Sequence, residues 1–279
     1  MSFEDLVNEA YRESKSLLSV GLDLSPLVVP PRYSMEEYME NIIRTTYKHA
    51  LAYKPNLSCW VGKDEGTKLL KKGCKLAHEY GRLFIIDAKL NDVGHTAREY
   101  ARSYLEEMDA DACTVNPLPF LDDTIGSTFP YLSEGKGIFV LVYTTSPHSQ
   151  MSWENFYVNN LPAWKFVALK VANDWSQKYV GKDYSCIGIV GAPRRKEIAK
   201  KIREICDTQI DLVPGLGVQG VPLSILRYLV KKRTYFPGII ANVGRSIIKE
   251  WKEYPGEDPI KIVEREAEKW KKKIMKAVR

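Results

Sequence analysis

Short apolar, β-branched runs alternate with helical patterns along the whole chain. Runs of the kind found in fully buried strands occur at Leu17–Leu24, Leu51–Leu57, Leu83–Leu90, Ala112–Asn116, Ile138–Thr145, Cys186–Ala192, Asp211–Gly215 and Gly238–Val243. Helical spacing predicts helices over Met35–Ala50, Lys63–Tyr80, Asp92–Met108, Asp122–Leu132, Pro162–Gln177, Arg194–Cys206, Pro222–Lys232 and Pro259–Val278. This alternation predicts parallel strands joined by crossover helices.

Two architectures fit such a pattern. Eight strand–helix units in about 250 residues suit a closed (β/α)8 barrel. An open doubly wound sheet would more often carry Gly-x-Gly-x-x-Gly after its first strand, where this chain has GLDLSP. Residues 1–15 add an amphipathic helix pattern before the first strand. We therefore expect an α/β protein, a TIM barrel with an extra N-terminal helix, forming one domain over residues 1–279.

Polar side chains collect where the apolar runs stop. Leu83–Ile86 is followed by Asp87, Lys89 and Asp92. Residues two apart on a strand point to the same side, so Asp87 and Lys89 should emerge together. Asn91 and Asp92 resemble a helix start, because their short side chains accept free backbone N–H groups. A salt bridge with a helix cap is the plain alternative, but three charges behind four apolar residues are costly to bury for structure alone.

The other strand ends carry polar residues as well. Asp23 lies at the end of the first predicted strand, Lys54 lies on the second, and Thr145 lies at the end of the fifth. In barrels of this kind the carboxyl ends of the strands carry the chemistry. A single strand-end charge is more often a surface feature, whereas several together predict a site.

The last two strands run into glycine-rich loops. VPGLGVQG contains Gln219 among glycines that allow close approach to a ligand, and NVGRS contains Gly244 and Arg245. Arginine binds phosphate through paired hydrogen bonds, and loops after strands seven and eight often form a phosphate site. The alternative is a tight turn followed by a surface arginine.

Composition narrows the class of partner. A net charge of +6 suits an anionic small substrate, and the basic run 194–201 reads as a solvated helix face rather than a nucleic-acid site. The five cysteines lack metal-type spacing and the four histidines are scattered, so we expect free thiols and no metal site. No signal peptide or membrane-length run is visible. We expect a cytoplasmic protein without membrane or nucleic-acid partners.

Taken together, these motifs resemble the orotidine 5′-phosphate decarboxylase family. IIDAKLNDVGHTA is similar to its Asp-x-Lys-x-x-Asp signature, and GLD, YKPN, LVYTTSP, VPGLGVQG and NVGRSI follow in the family's order. YKPN and the chain length resemble the longer branch of the family. The resemblance implies cofactor-free decarboxylation of orotidine 5′-phosphate to uridine 5′-phosphate, the last step of pyrimidine synthesis, by a homodimer with shared active sites.

The resemblance also implies a role for each motif residue. Lys54, Asp87, Lys89 and Asp92 would form an alternating charged array, with Lys89 protonating the carbanion and Asp92 reaching into the partner's site. The substrate-binding residues would be Asp23 and Lys54 for the ribose hydroxyls, Thr96 beside Asp92 from the other subunit, Thr145 for the pyrimidine, and Gln219, Gly244 and Arg245 for the phosphate.

Two residues depart from the family's pattern. Thr145 stands where serine is frequent, which keeps the hydroxyl but adds a methyl group near the pyrimidine. Val221 replaces a familiar second glycine after Gly220, so the closed shape of that loop does not follow from the resemblance.

Two other functions fit parts of the pattern. A sugar-phosphate decarboxylase or aldolase on the same barrel would hold Mg²⁺ on the strand-three carboxylates. A non-catalytic barrel would bind a phosphorylated ligand without turnover. Lys54 and the hydroxyl at Thr145 favour a nucleotide substrate over the first, and the intact array of lysines and aspartates favours an enzyme over the second.

Overall fold

Parallel strands close into a barrel in the computed structural model, which describes residues 1–232 and 234–279. The strands are β1 (Leu18–Gly21), β2 (Ala52–Lys54), β3 (Leu83–Leu90), β4 (Ala112–Val115), β5 (Gly137–Tyr143), β6 (Tyr157–Val158), β7 (Leu161–Pro162), β8 (Ser185–Gly191), β9 (Gln209–Val213) and β10 (Ile239–Val243). Among the described residues, eight of them form the barrel in chain order, and β10 pairs with β1 to close it; β6 and β7 form a separate hairpin. The closed (β/α)8 barrel predicted from the sequence is confirmed.

Helices follow the barrel strands. They are α1 (Phe3–Ser14), α2 (Met35–Thr46), α3 (Gly66–Glu79), α4 (Gly94–Ala101), α5 (Asp122–Gly126), α6 (Phe129–Ser133), α7 (Pro147–Asn155), α8 (Ala163–Lys170), α9 (Lys196–Ile205), α10 (Leu226–Leu229), α11 (Arg245–Ile248) and α12 (Pro259–Ala277). Helices α4 and α8 continue as π-helices, Arg102–Glu107 and Val171–Trp175. Short 3₁₀ segments cover Leu57–Cys59, Leu223–Ile225 and Glu250–Glu253.

The strands read as continuous apolar runs because both of their faces are covered. Every residue of β1, β2, β4, β5, β9 and β10 is buried. The predicted strand at Leu83–Leu90 has the observed bounds, although it includes two charged residues. Most other predictions extended a few residues too far at the carboxyl end, where the polar positions belong to loops rather than to the barrel ladder.

Two helix predictions were wrong in extent. Asp122–Leu132 is divided into α5 and α6, because Gly126 and Ser127 end the first helix and Pro130 fits only the first turn of the second. The predicted helix 222–232 is reduced to a 3₁₀ turn and the four residues of α10.

The predicted N-terminal helix is α1, and it covers the amino-terminal end of the barrel. Ser2 and Asp5 form a reciprocal capping box at its start. Phe3 packs edge-on against Phe139 of β5, with ring centroids 6.0 Å apart. The buried carboxylate of Glu4 accepts the backbone N–H groups of Lys182 and Asp183. The opposite end of the barrel is left open for a site.

The sequence of residues 146–160, with Trp153, Phe156 and Tyr157, predicts a long loop whose aromatic side chains pack down near the site. Most of this segment is helical, as α7, and it ends in the β6–β7 hairpin. Trp153 packs against the core, whereas Phe156 and Tyr157 are exposed, so the prediction that these aromatics pack down is wrong for two of the three. Within the described residues no helix has both the length and the apolar composition needed to cross a bilayer.

Candidate active site

A pocket opens at the carboxyl ends of the barrel strands. Each of the eight strands, or the loop directly after it, contributes to its wall. The lining residues are Asp23, Lys54, Asn56, Asp87, Lys89, Thr114, Leu141, Thr144, Thr145, Val190, Leu212, Pro214, Gly215, Gly217, Val218, Gln219, Asn242, Gly244, Arg245 and Ser246. This is the end of the barrel at which the sequence predicted a site.

Eight of the ten residues predicted from the sequence line this pocket: Asp23, Lys54, Asp87, Lys89, Thr145, Gln219, Gly244 and Arg245. Asp92 and Thr96 do not. Asp92 is partly buried on the loop after β3, and Thr96 is exposed on α4. The prediction that these two residues contribute to the site of a partner subunit stays a prediction.

Asp87 lies between two lysines at the base of the pocket. Its Oδ2 accepts from Lys54 Nζ at 2.6 Å, and its Oδ1 accepts from Lys89 Nζ at 2.7 Å. Lys54 is 3% exposed, whereas about half of the Lys89 side chain is open to the pocket, with a relative exposure of 47%. Asp87 therefore holds one buried and one accessible ammonium group.

This arrangement favours the charged forms of Asp87 and Lys54. Burial alone would raise the pKa of Asp87 and lower the pKa of Lys54, and so disfavour both charges. The adjacent Lys54 and Lys89 outweigh burial and hold the pKa of Asp87 far below its usual range. For Lys54, the negative charges of Asp87 and Asp23 outweigh burial and raise the pKa. A ligand reaching Lys89 therefore meets a fixed cation backed by a carboxylate.

The turn out of β3 differs from the sequence prediction. The N-cap of α4 is Val93 and no side chain caps the helix. Asn91 donates to the carbonyls of Asn116 and Leu118, and the carboxylate of Asp92 accepts the N–H of Val93, the next residue in the chain. Predicting a helix start at Asn91 and Asp92 was wrong, because both side chains are engaged in the loop before the helix.

Helical spacing in the sequence predicts one apolar stripe on this helix, formed by Val93, Ala97, Tyr100, Ala101, Tyr104, Leu105 and Met108. Five of these residues are buried as predicted: Ala97, Ala101, Tyr104, Leu105 and Met108. Val93 and Tyr100, however, are 42% and 43% exposed. The helix begins after Val93, and the π-helical continuation after Ala101 changes the periodicity of the face.

Hydrogen bonds hold two polar side chains, Asp23 and Asn242, on the part of the pocket wall formed by β10, β1 and β2. Asp23 Oδ1 accepts the N–H of Asn56 at 3.1 Å, which fixes the carboxylate toward the pocket. Asn242 of β10 accepts from the Ser19 hydroxyl at 3.1 Å. These carboxylate and amide groups, with Lys54, can bind hydroxyl groups of a ligand.

The loop after β9 is closed on itself. Val221 N–H donates to the carbonyl of Gly215 at 2.9 Å, and the buried valine side chain seals the base of the loop. Arg194 clamps the outer side by donating to the carbonyls of Gln219 and Gly220, at 2.5 and 3.0 Å. Val221 is thus compatible with a compact loop in this structure.

Gly215 has a positive φ of 82° and lies against Thr145. A β-carbon at position 215 would lie 2.5 Å from the Thr145 methyl carbon. Only glycine combines this backbone conformation with this contact. The extra methyl of Thr145 therefore packs at the start of the β9 loop.

Arg245 and Gln219 are exposed side chains that line the pocket from the loops after the last two barrel strands. Arg245 is the first residue of α11 and directly follows Gly244, which also lines the pocket. Arginine, amide and backbone donors together are suited to a phosphate group. The same pocket therefore contains groups that can bind an anion in addition to the charged array around Lys89.

Sequence reasoning missed several lining residues. Thr114 and Asn242 lie inside apolar strands, where a lone polar residue gives little signal. Leu141, Val190 and Leu212 give an apolar wall opposite the lysines, and alternation along β5, β8 and β9 would have placed them inside the barrel. Asn56 was visible within YKPN but was not given a role.

Metal ligands are not grouped in the part of the chain that the structure describes: no three His, Cys, Asp or Glu side chains are placed to share an ion. At the base of the pocket, the oxygens of Asp87 already accept from two ammonium groups. All five cysteines are free thiols. The donor set at the pocket base does not fit a divalent cation.

Two known enzymes are similar to this chain in sequence over most of their length. Orotidine 5′-phosphate decarboxylase from Caldicellulosiruptor saccharolyticus is 32% identical, over 92% of this chain and 93% of its own. The enzyme of the same name from Dehalococcoides mccartyi is 34% identical over 80% of each chain.

Solved structures with the same name in their descriptions have a similar fold. The OMP decarboxylase of Leishmania donovani superposes with a TM-score of 0.79 at 25% identity, covering 100% of this chain and 99% of that one. A putative orotidine-monophosphate-decarboxylase from Toxoplasma gondii gives 0.83 at 25% identity, covering 98% and 96%. The sequence profile of the orotidine 5′-phosphate decarboxylase / HUMPS family matches residues 16–253. The match spans the whole barrel and the pocket, and the chain belongs to this family.

Proposed function

We propose that this protein decarboxylates orotidine 5′-phosphate to uridine 5′-phosphate without a cofactor. The observation that carries the proposal is the Lys54–Asp87–Lys89 array in a pocket that also contains groups that can bind an anion. Family membership and the names of the relatives support it.

Loss of carbon dioxide breaks the bond between the carboxylate and ring carbon six, and the electron pair stays on that carbon. In this proposal the Lys89 ammonium stabilises the developing carbanion and then transfers a proton to it, giving the C–H bond of the product. Asp87 holds the Lys89 ammonium group in place by accepting its hydrogen bond, and its negative charge opposes the substrate carboxylate in the ground state. Repulsion ends when neutral carbon dioxide leaves.

The remaining pocket residues bind the rest of the nucleotide. Asp23 and Lys54 hold the ribose hydroxyls, Thr145 contacts the pyrimidine, and Gln219, Gly244 and Arg245 bind the phosphate. The phosphate lies far from the breaking bond, so its binding energy acts by fixing the β9 loop around the substrate. This use of remote binding energy raises the rate as well as the affinity.

The activity is tested by following the absorbance of orotidine 5′-phosphate with purified protein in the presence of a chelator. Turnover with chelator, at the rate seen without it, supports the proposal. Turnover that requires added Mg²⁺, or activity only on a sugar phosphate, would point to the metal-dependent alternative. Binding of uridine 5′-phosphate without any turnover would point to a non-catalytic barrel.

We further propose that the protein acts as a homodimer with shared sites, in which Asp92 and Thr96 complete the partner's pocket. The first support is that neither residue lines the pocket of its own chain. The second is that three apolar side chains nearby are exposed: Val93 directly follows Asp92, Tyr100 lies on the same helix as Thr96, and Phe120 precedes the helix whose Thr124 donates to the Asp92 carbonyl. A two-fold contact of the loops after β3 would cover these residues and give each site Lys89 from one chain and Asp92 from the other.

Subunit mixing tests the shared site. Lys89→Ala and Asp92→Ala dimers are each expected to be inactive, but a mixed dimer contains one site with both lesions and one with neither. Random exchange of equal amounts makes about half of the dimers mixed, so activity should return to roughly a quarter of wild type. Confirmed exchange without recovered activity would show that Asp92 acts within its own chain.

A further inference from the structure

The third strand contains an irregularity directly at Lys89. Ile86 pairs with Cys113 and the next paired residues are Leu90 and Val115, so Asp87, Ala88 and Lys89 stand opposite Thr114 alone. Lys89 has a φ of 51°, a left-handed conformation that is uncommon for residues other than glycine, asparagine and aspartate. Bulges of this kind redirect a side chain, and an unusual φ persists only where the surroundings hold it.

Thr114 is the residue that spans this irregularity. Its side chain is buried, with 1% exposure, and its hydroxyl is placed between the two residues of β3 that carry charge. Thr114 Oγ1 accepts the backbone N–H of Lys89 at 2.9 Å and donates its own proton to Asp87 Oδ1 at 2.9 Å. The hydroxyl thus replaces the carbonyl acceptor that the bulge removes from the ladder.

These contacts form a closed ring. The N–H of Lys89 bonds to the Thr114 hydroxyl, the hydroxyl bonds to Asp87 Oδ1, and the same oxygen accepts from Lys89 Nζ at 2.7 Å. The main chain and the side chain of Lys89 are therefore fixed through one threonine. A valine at this position would have the same shape but could neither accept from Lys89 nor donate to Asp87.

We propose that Thr114 is a positioning residue that sets the backbone of Lys89 and the direction of its ammonium group through Asp87. This inference rests on the proposed decarboxylation for its effect on rate, but its effect on the β3 backbone is independent of any activity. Thr114 acts through Lys89 and Asp87, so its loss should lower the rate of the chemical step more than it weakens binding of the nucleotide.

The test compares Thr114→Val with Thr114→Ser, which keeps the hydroxyl. The matched control is Thr46→Val, because Thr46 is also fully buried and hydrogen-bonded, to Ile42 O and the Tyr53 hydroxyl, but lies on α2 away from the pocket. Thr114→Ala, which leaves room for a water molecule, serves as a second variant if the valine does not fold.

Two readouts are measured: steady-state decarboxylation, and hydrogen exchange of the Lys89 amide. We expect Thr114→Val to lower kcat at least about tenfold with KM changed by less than about threefold, and Thr114→Ser and Thr46→Val to stay within about threefold of wild type in kcat. The Lys89 amide should exchange faster in Thr114→Val and remain protected in Thr114→Ser and Thr46→Val.

Unchanged protection of the Lys89 amide in Thr114→Val would overturn the inference, as would an equal loss of activity in Thr46→Val. A wild type that does not decarboxylate orotidine 5′-phosphate would refute the proposed function instead. In that case the exchange measurement alone decides whether Thr114 fixes the bulge.

Discussion

Asp211 is a buried carboxyl group that the proposed chemistry does not use. It lies on β9, fully buried, and its Oδ1 accepts the N–H of Gly191 at 2.8 Å. Its Oδ2 has no hydrogen-bond partner among the described residues. Arg203 is nearby but donates to the carbonyls of Leu229, Cys206, Gln209 and Gly238 rather than to the carboxylate. Asp211 therefore lacks a counter-charge in direct contact.

Burial raises the pKa of Asp211 from 3.8 to about 7, with Arg203 and the N–H of Gly191 opposing the shift. The folded state therefore binds this proton more tightly than the unfolded chain. Ionising Asp211 therefore lowers the free energy of unfolding. This loss of stability is absent below pH 4, grows as the pH rises, and is complete above pH 7. A shift of roughly three units corresponds to about 4 kcal/mol of unfolding free energy at high pH.

Replacing Asp211 with asparagine keeps an acceptor for Gly191 and removes the titration. The free energy of unfolding is measured by urea denaturation for wild type and Asp211→Asn between pH 5 and pH 8. We expect the variant to gain about 2.5 kcal/mol relative to wild type across this interval, because wild type loses stability as Asp211 ionises. Asp64→Asn, at an exposed carboxylate, is the matched control and should give no such slope.

The slope of the difference between variant and wild type is the decisive quantity, since other groups titrate equally in both proteins. A difference that stays constant from pH 5 to pH 8 would show that Asp211 is already ionised in the folded protein throughout this range, and would refute the reasoning. A constant offset by itself would reflect only the amide replacing the carboxyl group.

The other predictions concern the pocket and the pair formed by part-buried His78 and buried Asp111. Lys89→Ala should lower turnover by several orders of magnitude with an unchanged circular dichroism spectrum, because its side chain is half exposed and supplies the proton; activity within about tenfold of wild type would contradict that role. Arg245→Ala should lower kcat/KM for orotidine 5′-phosphate by a factor corresponding to about 2 kcal/mol, but not for orotidine lacking the phosphate; equal losses on both would exclude phosphate binding as its function. The hydrogen bond to Asp111 raises the pKa of His78, so its stabilisation is present below pH 6.5 and is lost as the pH rises through the folded pKa. His78→Gln should therefore destabilise the protein more at pH 5.5 than at pH 8.5, and equal destabilisation at both would show that protonation of His78 is not involved.

The strands and most of the pocket could be predicted from sequence because they depend on burial. A strand covered on both faces must be apolar along its length, so β3 and β5 are visible as runs, and the first polar residue after each run marks the pocket. Thr114 and Asn242 were missed because buried threonine and asparagine within strands are equally typical of structural hydrogen bonds. The role of each depends on its partner residue on the neighbouring strand, and the sequence of a single strand does not show which residue that is.

The helices were less predictable than the strands. Helical spacing over Asp122–Leu132 does not show where Gly126 stops the first helix, and no periodicity indicates the π-helical turns after Ala101 and Lys170. The clamp of Arg194 on the β9 loop was hidden for another reason. Arg194 belongs to a basic run that resembles a solvated helix face, and only the fold brings it to Gln219 and Gly220.

The closure of the barrel has a consequence for the chain during its synthesis. Ala241 of the last strand pairs with Leu18 of the first, and all eight strands supply wall residues to one pocket. A growing chain thus displays Lys54, Asp87 and Lys89 long before residues 239–243 can join them. Until then these charges remain hydrated, and β1 and β9 present open edges that can pair with other chains. Until β10 is made, only molecules around the nascent chain can cover those edges. An incomplete chain that lacks β10 also lacks part of the pocket wall.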